Sequence, residues 1–256
     1  VPPAVEYKGA VMSSIIFGPV YSRRFGKSLG IDLSPSKKQC NFDCLYCELE
    51  PAKTMERYED VISVAEVMDA LKKGLKEHPD VDFITLTANG EPTLYPHLLE
   101  LINEIDKVKG EIKTLILSNA GTIDDPKVQE ALLKLDEVKL SLDCATQSCL
   151  KKLDRAHPGI DIEKIKAGML AFKSRYQGRL IVEILLVKTL NDTPEEIALL
   201  NAYLLKLRPT RIDLGTIDRP PAYDVKPLSY EEMLVVSKQF DASLPLDIVS
   251  RKKSEA

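Results

Sequence analysis

Six short apolar runs, each separated from the next by an amphipathic stretch, constrain the fold of this 256-residue chain more than any other feature. The runs are Ser28–Leu33, Asp82–Thr87, Thr114–Leu117, Val138–Leu142, Leu180–Val187 and Arg211–Leu214. They are apolar, several are β-branched, and turn residues bound them, so they read as strands. Helices fit between them. Ser63 with Glu66 three residues on makes a capping box, and Val64, Val67, Met68, Leu71 and Leu75 then share one helical stripe. Thr193, Pro194 and Glu196 supply an N-cap, a first-turn proline and the return acid of a helix with Ile197, Leu200 and Leu204 on its stripe. Ile162, Ile165, Met169 and Phe172 mark another, Ser229 and Glu232 open a last one, and segments 96–108, 126–134 and 146–153 are expected to be helical. Strict β-α alternation predicts a parallel sheet with helices outside it, curled one way by right-handed crossovers. Six units are too few to close an eight-stranded barrel. The expected fold is therefore α/β: a partial (β/α)6 TIM-like barrel over 28–240, with a short N-terminal extension over 1–27 and a C-terminal tail over 241–256.

Hydrophobic residues make up 44% of the chain and charged residues 29%, which suits a globular protein with a sizeable core. The sequence lacks an apolar run of eighteen or so residues, so a membrane span is not expected. The opening Val1–Glu6 lacks the basic-then-apolar order of a secretory signal, and reduced cysteines fit a cytoplasmic location. The net charge of −4 argues against general affinity for nucleic acid. Between Lys8 and Lys38, however, six basic residues (Lys8, Arg23, Arg24, Lys27, Lys37, Lys38) face the single acid Asp32. Such a segment suits a phosphate-bearing substrate, RNA or an acidic electron donor, or serves as a solvated face with counter-charge for an anionic group.

Cys40, Cys44 and Cys47 stand in the run Cys40-Asn41-Phe42-Asp43-Cys44-Leu45-Tyr46-Cys47, spaced C-x3-C-x2-C. The spacing is too tight for ordinary disulfides and brings three thiolates to one point. A four-iron cubane takes four ligands, so three protein thiolates leave one iron open to a small molecule. Structural zinc is the main alternative, but it wants four Cys or His ligands, and His78, His97 and His157 all lie far from the loop in sequence. Five cysteines in all are too sparse for a disulfide framework.

With Tyr46 before its last cysteine, this loop resembles that of the radical S-adenosylmethionine (radical SAM) enzymes. The resemblance implies that a [4Fe-4S] cluster is held by Cys40, Cys44 and Cys47, with S-adenosylmethionine (SAM) bound at the open iron. Reductive cleavage of SAM then gives a 5′-deoxyadenosyl radical that abstracts hydrogen from a substrate, the cofactors carrying the hard chemistry. It also implies a reductant protein such as flavodoxin or ferredoxin. The substrate class, whether nucleic acid, peptide or anionic metabolite, stays open. An iron–sulfur electron-transfer or redox-sensing module is the competing class. It would need no ammonium site beside the metal, and a zinc-stabilised binding protein would not either.

Other candidate site residues fall where the predicted strands end, the place where such sheets gather their chemistry. Asn89-Gly90-Glu91-Pro92 follows the second strand and resembles the family's Gly-Glu-Pro motif, which implies that this turn holds the methionine ammonium of SAM. Glycine permits close backbone approach, Glu91 is an anionic acceptor and Pro92 stiffens the turn. Ser118 and Asn119 end the third strand and Ser141 and Asp143 the fourth; they suit ribose or carboxylate contacts, or else helix caps. Tyr46 belongs with the cofactor-binding set. Glu183 sits inside an apolar strand, where an acid is costly unless paired, and is expected at the site if it faces the barrel interior. Lys188 and Asn191, after the fifth strand, point to the same mouth, and Asp213 and Arg219 complete the ring; Lys188 and Arg219 are candidate substrate contacts. Cys144 and Cys149 are read as buried free cysteines, with Cys144 also a candidate catalytic thiol donating a hydrogen atom or holding an intermediate. His157 reads as structural.

The resemblance extends over about residues 15–225, through Phe17–Gly26, Ser28–Asp32, Ser141-Leu142-Asp143, Arg155–Gly159 and Val187–Asp192. It points to a subgroup labelled iron–sulfur oxidoreductases and similar to the enzymes of tRNA wyosine synthesis. Those enzymes carry further cluster cysteines ahead of the radical loop, whereas this chain has none before Cys40. A second cluster is therefore not expected, and the tRNA substrate does not transfer.

Overall fold

The computed structural model describes residues 15–22 and 24–249. Lys8 and Arg23 of the basic segment, residues 1–14 of the expected extension and 250–256 of the expected tail lie outside them. All six expected strands form. They are β2 (Gly26–Asp32), β3 (Phe83–Thr87), β4 (Lys113–Ser118), β5 (Glu137–Ser141), β6 (Arg179–Leu186) and β7 (Arg211–Thr216). Two further strands flank them. β1 (Ile16–Ser22) pairs antiparallel with β2 as a hairpin, and β8 (Leu246–Val249) adds in parallel to β7. The described sheet is thus eight strands in sequential order, β2 to β8 parallel and the sheet open between β1 and β8. β1 was expected to be extension and β8 tail. β1 is hard to read because Gly18-Pro19 interrupts its register between Phe17 and Val20, and β8 because it is only four residues long.

The helices form where the caps predict. The capping boxes at Ser63/Glu66 and Ser229/Glu232 open α1 (Val64–Glu77) and α7 (Tyr230–Ser237). Between these lie α2 (Leu98–Asp106), α3 (Pro126–Leu132), α4 (Gln147–Cys149), α5 (Ile162–Arg175) and α6 (Pro194–Leu207). α4 runs into a single π-turn, Leu150–Asp154. Thr193 caps α6 as expected, but the Glu196 carboxylate does not return to the cap. It accepts instead from the Ala145 and Thr146 amides and the Thr146 hydroxyl.

Strand alternation divides the sheet into two unlike faces. The helix-side face is apolar: Leu29, Ile31, Ile84, Leu86, Ile116, Val138, Leu140, Val182, Ile184, Ile212 and Leu214 join one continuous buried core. The inner face, matched through the strand register, carries Thr85, Lys139, Glu183, Arg211 and Asp213. Asp213 is fully buried and is met by Arg211 at 2.9 Å, Arg24 at 3.1 Å and Lys139 at 3.2 Å. Lys139 also pairs with Glu183. Arg24 reaches Asp213 from the β1–β2 turn, and beside it Phe25 packs edge-on to Phe83 with the Arg211 guanidinium 5.1 Å above its ring. The hairpin turn therefore plugs the amino end of the barrel and leaves the carboxyl end as the mouth.

Asp213→Ala removes the shared partner of three cations from a buried position. It should cost about 3–5 kcal/mol, read as a lower urea midpoint at unchanged slope; a loss under about 1 kcal/mol would mean that this network is not sealed from water.

Candidate active site at the strand ends

The cysteine loop leaves the carboxyl end of β2 and is tied down mainly through its backbone. The Gln39 N–H donates to Asn89 O at 2.8 Å and the Glu91 N–H donates to Gln39 O at 3.0 Å, a single parallel bridge joining the residue before Cys40 to the turn after β3. Gly90 makes that approach possible: its φ is +139°, and a Cβ there would lie 1.9 Å from Gln39 O. The fully buried Gln39 amide donates to Ser34 Oγ and Asp60 O and accepts from the Glu59 and Asp60 amides. On the other flank the Asp43 and Leu45 amides donate to Asp154 O at 3.1 Å and Leu153 O at 2.9 Å, on the π-turn. The loop 217–228 after β7 crosses the mouth to the same segment. Its Ala222 N–H donates to Cys47 O at 2.9 Å, its Tyr223 hydroxyl donates to Asp43, and its Arg219 pairs with Glu48. Asp43 also pairs with Lys38 at 3.0 Å. Burial opposes its ionisation, but hydrogen bonds from Tyr223, Lys38 and the Ala52 amide hold its pKa below the usual carboxylate value.

Cys40, Cys44 and Cys47 are free thiols. Among the described residues, the group of His, Cys, Asp or Glu that draws three ligand atoms within 4.8 Å of one another is Cys144, Cys149 and Glu196, not this trio. One zinc ion would pull thiolates to about 3.8 Å apart, whereas a cubane spreads its ligands over separate irons. Three thiols not drawn within 4.8 Å of one another are compatible with ligands on separate irons. The Phe42 amide and the Asn119 side chain donate to Cys40 Sγ at 3.4 and 3.5 Å, the kind of contact that tunes a ligated sulfur. With no metal charge beside it, burial and then Glu91 push the Cys40 thiol up to about 12, and burial and then Asp154 push the Cys44 thiol well above its ordinary value. Such a pocket favours thiolates only beside a cation.

Most of the expected cofactor-contacting side chains spend their polar atoms on one another. Glu91 is 1% exposed; one oxygen accepts from Thr93 N, Thr93 Oγ1 and Ser118 Oγ, and the other from the Asn119 N–H at 2.7 Å. Its pKa is raised by burial, against the pull of those donors. The carboxylate thus locks the end of β3 to the end of β4, and Pro92 opens the short 3-10 turn beside it. Asn119 Oδ1 accepts from the Gly121 N–H, and Asn119 Nδ2 donates to Asn41 Oδ1. Asp143 accepts from the Leu185 N–H at 2.6 Å and from the Tyr46 hydroxyl, and Tyr46 also lies 3.4 Å from Asp154. Burial raises the pKa of both acids and of Tyr46. Asn89 and Ser141 stay partly open at the mouth.

Other expectations are redirected. Cys144 and Cys149 are bonded to each other and buried, so Cys144 has no thiol to give in this state and is not a free cysteine. Lys188 and Arg219 sit on the rim in exposed ion pairs with Glu232 and Glu48. Asn191 does not reach the mouth; fully buried, it braces its turn by donating to Asp143 O and Leu185 O. Glu183 faces the barrel interior, half-exposed beside Lys139. His157 holds the loop through its N–H to Asn41 O. Gln39, Asp32 and Asp154 escape the sequence reading. Asp32, which accepts from the Ser34 and Asn89 amides, was open to it as a lone acid ending an apolar strand.

A curled parallel sheet with a polar interior, carrying a three-thiol loop at its carboxyl end, defines a partial-barrel enzyme scaffold of the iron–sulfur kind. The chain belongs to the radical SAM superfamily, whose profile matches residues 35–200. It is 48% identical over 243 residues to the "UPF0026 protein" of Helicobacter pylori, spanning 93% of this chain and 79% of that one. Among solved structures, a radical SAM methyltransferase from Sphaerobacter thermophilus matches with a TM-score of 0.65 at 16% identity, over 88% of this chain and 67% of that one. Archaeal TYW1 matches with a TM-score of 0.54 at 19% identity, over 85% and 72%. These two share the fold. Members of the superfamily bind a [4Fe-4S] cluster and SAM. Among the described residues no helix is long and apolar enough to cross a membrane.

Gly90→Ala should part the Glu91 turn from the cysteine loop, at a cost of about 1–3 kcal/mol in backbone strain. Iron retained after anaerobic reconstitution should fall sharply while far-ultraviolet circular dichroism is unchanged; wild-type iron loading would show that the bridge does not shape the loop.

Proposed function

We propose that this protein uses a cluster held by Cys40, Cys44 and Cys47 to cleave SAM reductively and start a radical reaction on a substrate bound in the barrel mouth. The observation that carries the reading is the union of three free thiols with the Gly90–Glu91 turn, bridged through Gln39. When bound, the cluster would supply the single electron that turns SAM into methionine and a 5′-deoxyadenosyl radical. Residues of the chain do the positioning. Glu91, its oxygens already engaged, fixes the turn, so the rim of residues 88–90 is what meets the amino end of SAM. Ser118 and Asn119 hold the next strand end in register with it. Tyr46, clamped by Asp143, closes the pocket behind the loop and keeps water from it. Ser141 and Asn89 are partly exposed at the mouth and add polar groups to it.

Inside the barrel, half-exposed Glu183, held by Lys139, gives the substrate pocket an acceptor, with Lys188 and Arg219 on the rim. A polar substrate fits this lining, whether nucleotide, peptide side chain or anionic metabolite. The reductant is a flavodoxin- or ferredoxin-like protein, and its acidic face would be met by basic residues of the segment ahead of the cysteine loop, such as exposed Lys37. A low-oxygen cytoplasmic setting suits all of these parts.

The test is anaerobic reconstitution with iron and sulfide, reduction, and addition of SAM. Wild type should yield 5′-deoxyadenosine, and Cys44→Ala should lose both the cluster absorbance and the product. Glu91→Ala should keep the cluster and weaken SAM binding about tenfold or more, about 1.4 kcal/mol, because the turn loses the carboxylate that fixes it to Ser118 and Asn119. An intact cluster with no 5′-deoxyadenosine would favour an electron-transfer module. Zinc in place of iron in anaerobically purified protein would overturn the cluster itself.

A further inference from the structure

We infer that Cys144 and Cys149 form a reversible thiol–disulfide couple whose oxidation state sets how firmly the π-turn holds the cysteine loop. The bond joins two places that both act on that loop. Cys144 directly follows Asp143, which takes the Tyr46 hydroxyl at the end of β5. Cys149 directly precedes the π-turn, whose Leu153 and Asp154 carbonyls accept the Leu45 and Asp43 amides and whose Asp154 carboxylate lies 3.4 Å from the Tyr46 hydroxyl. The cross-link, with Cα atoms 5.5 Å apart, therefore sets the separation of the two acids that flank Tyr46. It also lies against a small cavity that Cys144 shares with Tyr46, Asn119, Asp143 and Asp154.

The segment between the cysteines does not need the bond to stay folded. Glu196 accepts from the Ala145 and Thr146 amides and the Thr146 hydroxyl. Gln147 donates to Ile160 O and accepts from the Ile162 N–H, and Lys166 donates to Ala145 O. These anchors fall on residues 145–147, ahead of Cys149. The π-turn beyond it is tied back by the Leu150 N–H to Thr146 O, seats Leu150 and Leu153 in the core and meets the cysteine loop through the Leu153 and Asp154 carbonyls; the cross-link adds its covalent tie to the end of β5. A π-turn is an under-wound, seldom-used geometry often met at functional sites, so it is the element that yields when the link opens. Reduction transfers two electrons and two protons from an external dithiol. Its thiolate attacks Cys149, the more accessible partner at 6% exposure against 0% for Cys144. The S–S bond breaks, two thiols form in the protein, and the dithiol leaves as its own disulfide.

The experiment uses the full chain without metal, purified without reductant and compared with the same protein after treatment with dithiothreitol. Titration in denaturant should find three thiols before reduction and all five after it. Amide hydrogen exchange at Asp43 and Leu45 should speed up about fivefold or more on reduction, while Ala145 and Thr146, held by Glu196, should not change. A Cys144→Ala/Cys149→Ala double variant should exchange at the fast rate with or without dithiothreitol. Equal rates at Asp43 and Leu45 in the two oxidation states would overturn the coupling, and five titratable thiols persisting after treatment with oxidised glutathione would overturn the couple itself. The consequence for the cofactor rests on the radical SAM reading, but the exchange experiment does not, because no metal or SAM takes part in it. Failure to form 5′-deoxyadenosine would sink that reading and leave the exchange result standing.

Discussion

Two backbone hydrogen bonds between Gln39 and the Asn89–Glu91 turn hold this site together. They carry the cysteine loop from β2 onto the end of β3, and they exist only because residue 90 has no side chain to strike the Gln39 carbonyl. The Glu91 carboxylate then extends the connection to β4, where it gathers four donors at full burial. Three strand ends are locked by one bridge and one acid. A loop pinned in this way holds its three cysteines in a fixed arrangement, as preorganisation of a site requires.

The same economy explains why so few polar side chains at the mouth are free. A buried polar group costs several kcal/mol unless it is paired, and Glu91, Ser118, Asn119, Asp143 and Tyr46 are all buried enough to need partners. They pair with one another and with backbone amides. What faces the mouth is therefore mainly backbone and sulfur, while most polar side chains act one layer behind. The inner face of the sheet follows a similar rule at the other end of the barrel, where Asp213 neutralises cations from β5, β7 and the β1–β2 turn and lets charged residues line a lumen that would otherwise have to be apolar.

The disulfide beneath the loop ties this scaffold to the redox state of its surroundings. Its position between Asp143 and the π-turn places it behind the cysteine loop rather than among the reacting groups, which is why a catalytic thiol at Cys144 gives way to a positioning role. A link of this kind would couple loop firmness to the thiol redox state around the protein.

Local pattern was enough to place the six central strands, the two capping boxes, the cysteine loop and the turn at Gly90, because strand period, cap chemistry and ligand spacing are all written within a few residues of one another. Long-range pairing decided the rest. β1 and β8 became strands only because β2 and β7 offered them unpaired edges, since neither carries a strong period of its own. Glu196 left its helix cap for the Ala145 and Thr146 amides because the fold brings α6 against that loop, and Asp154 and Gln39 entered the site through backbone contacts that residue type does not encode. Which acids bind and which merely brace depends on how many donors the folded chain aims at each oxygen. That number comes into being only when distant strand ends meet.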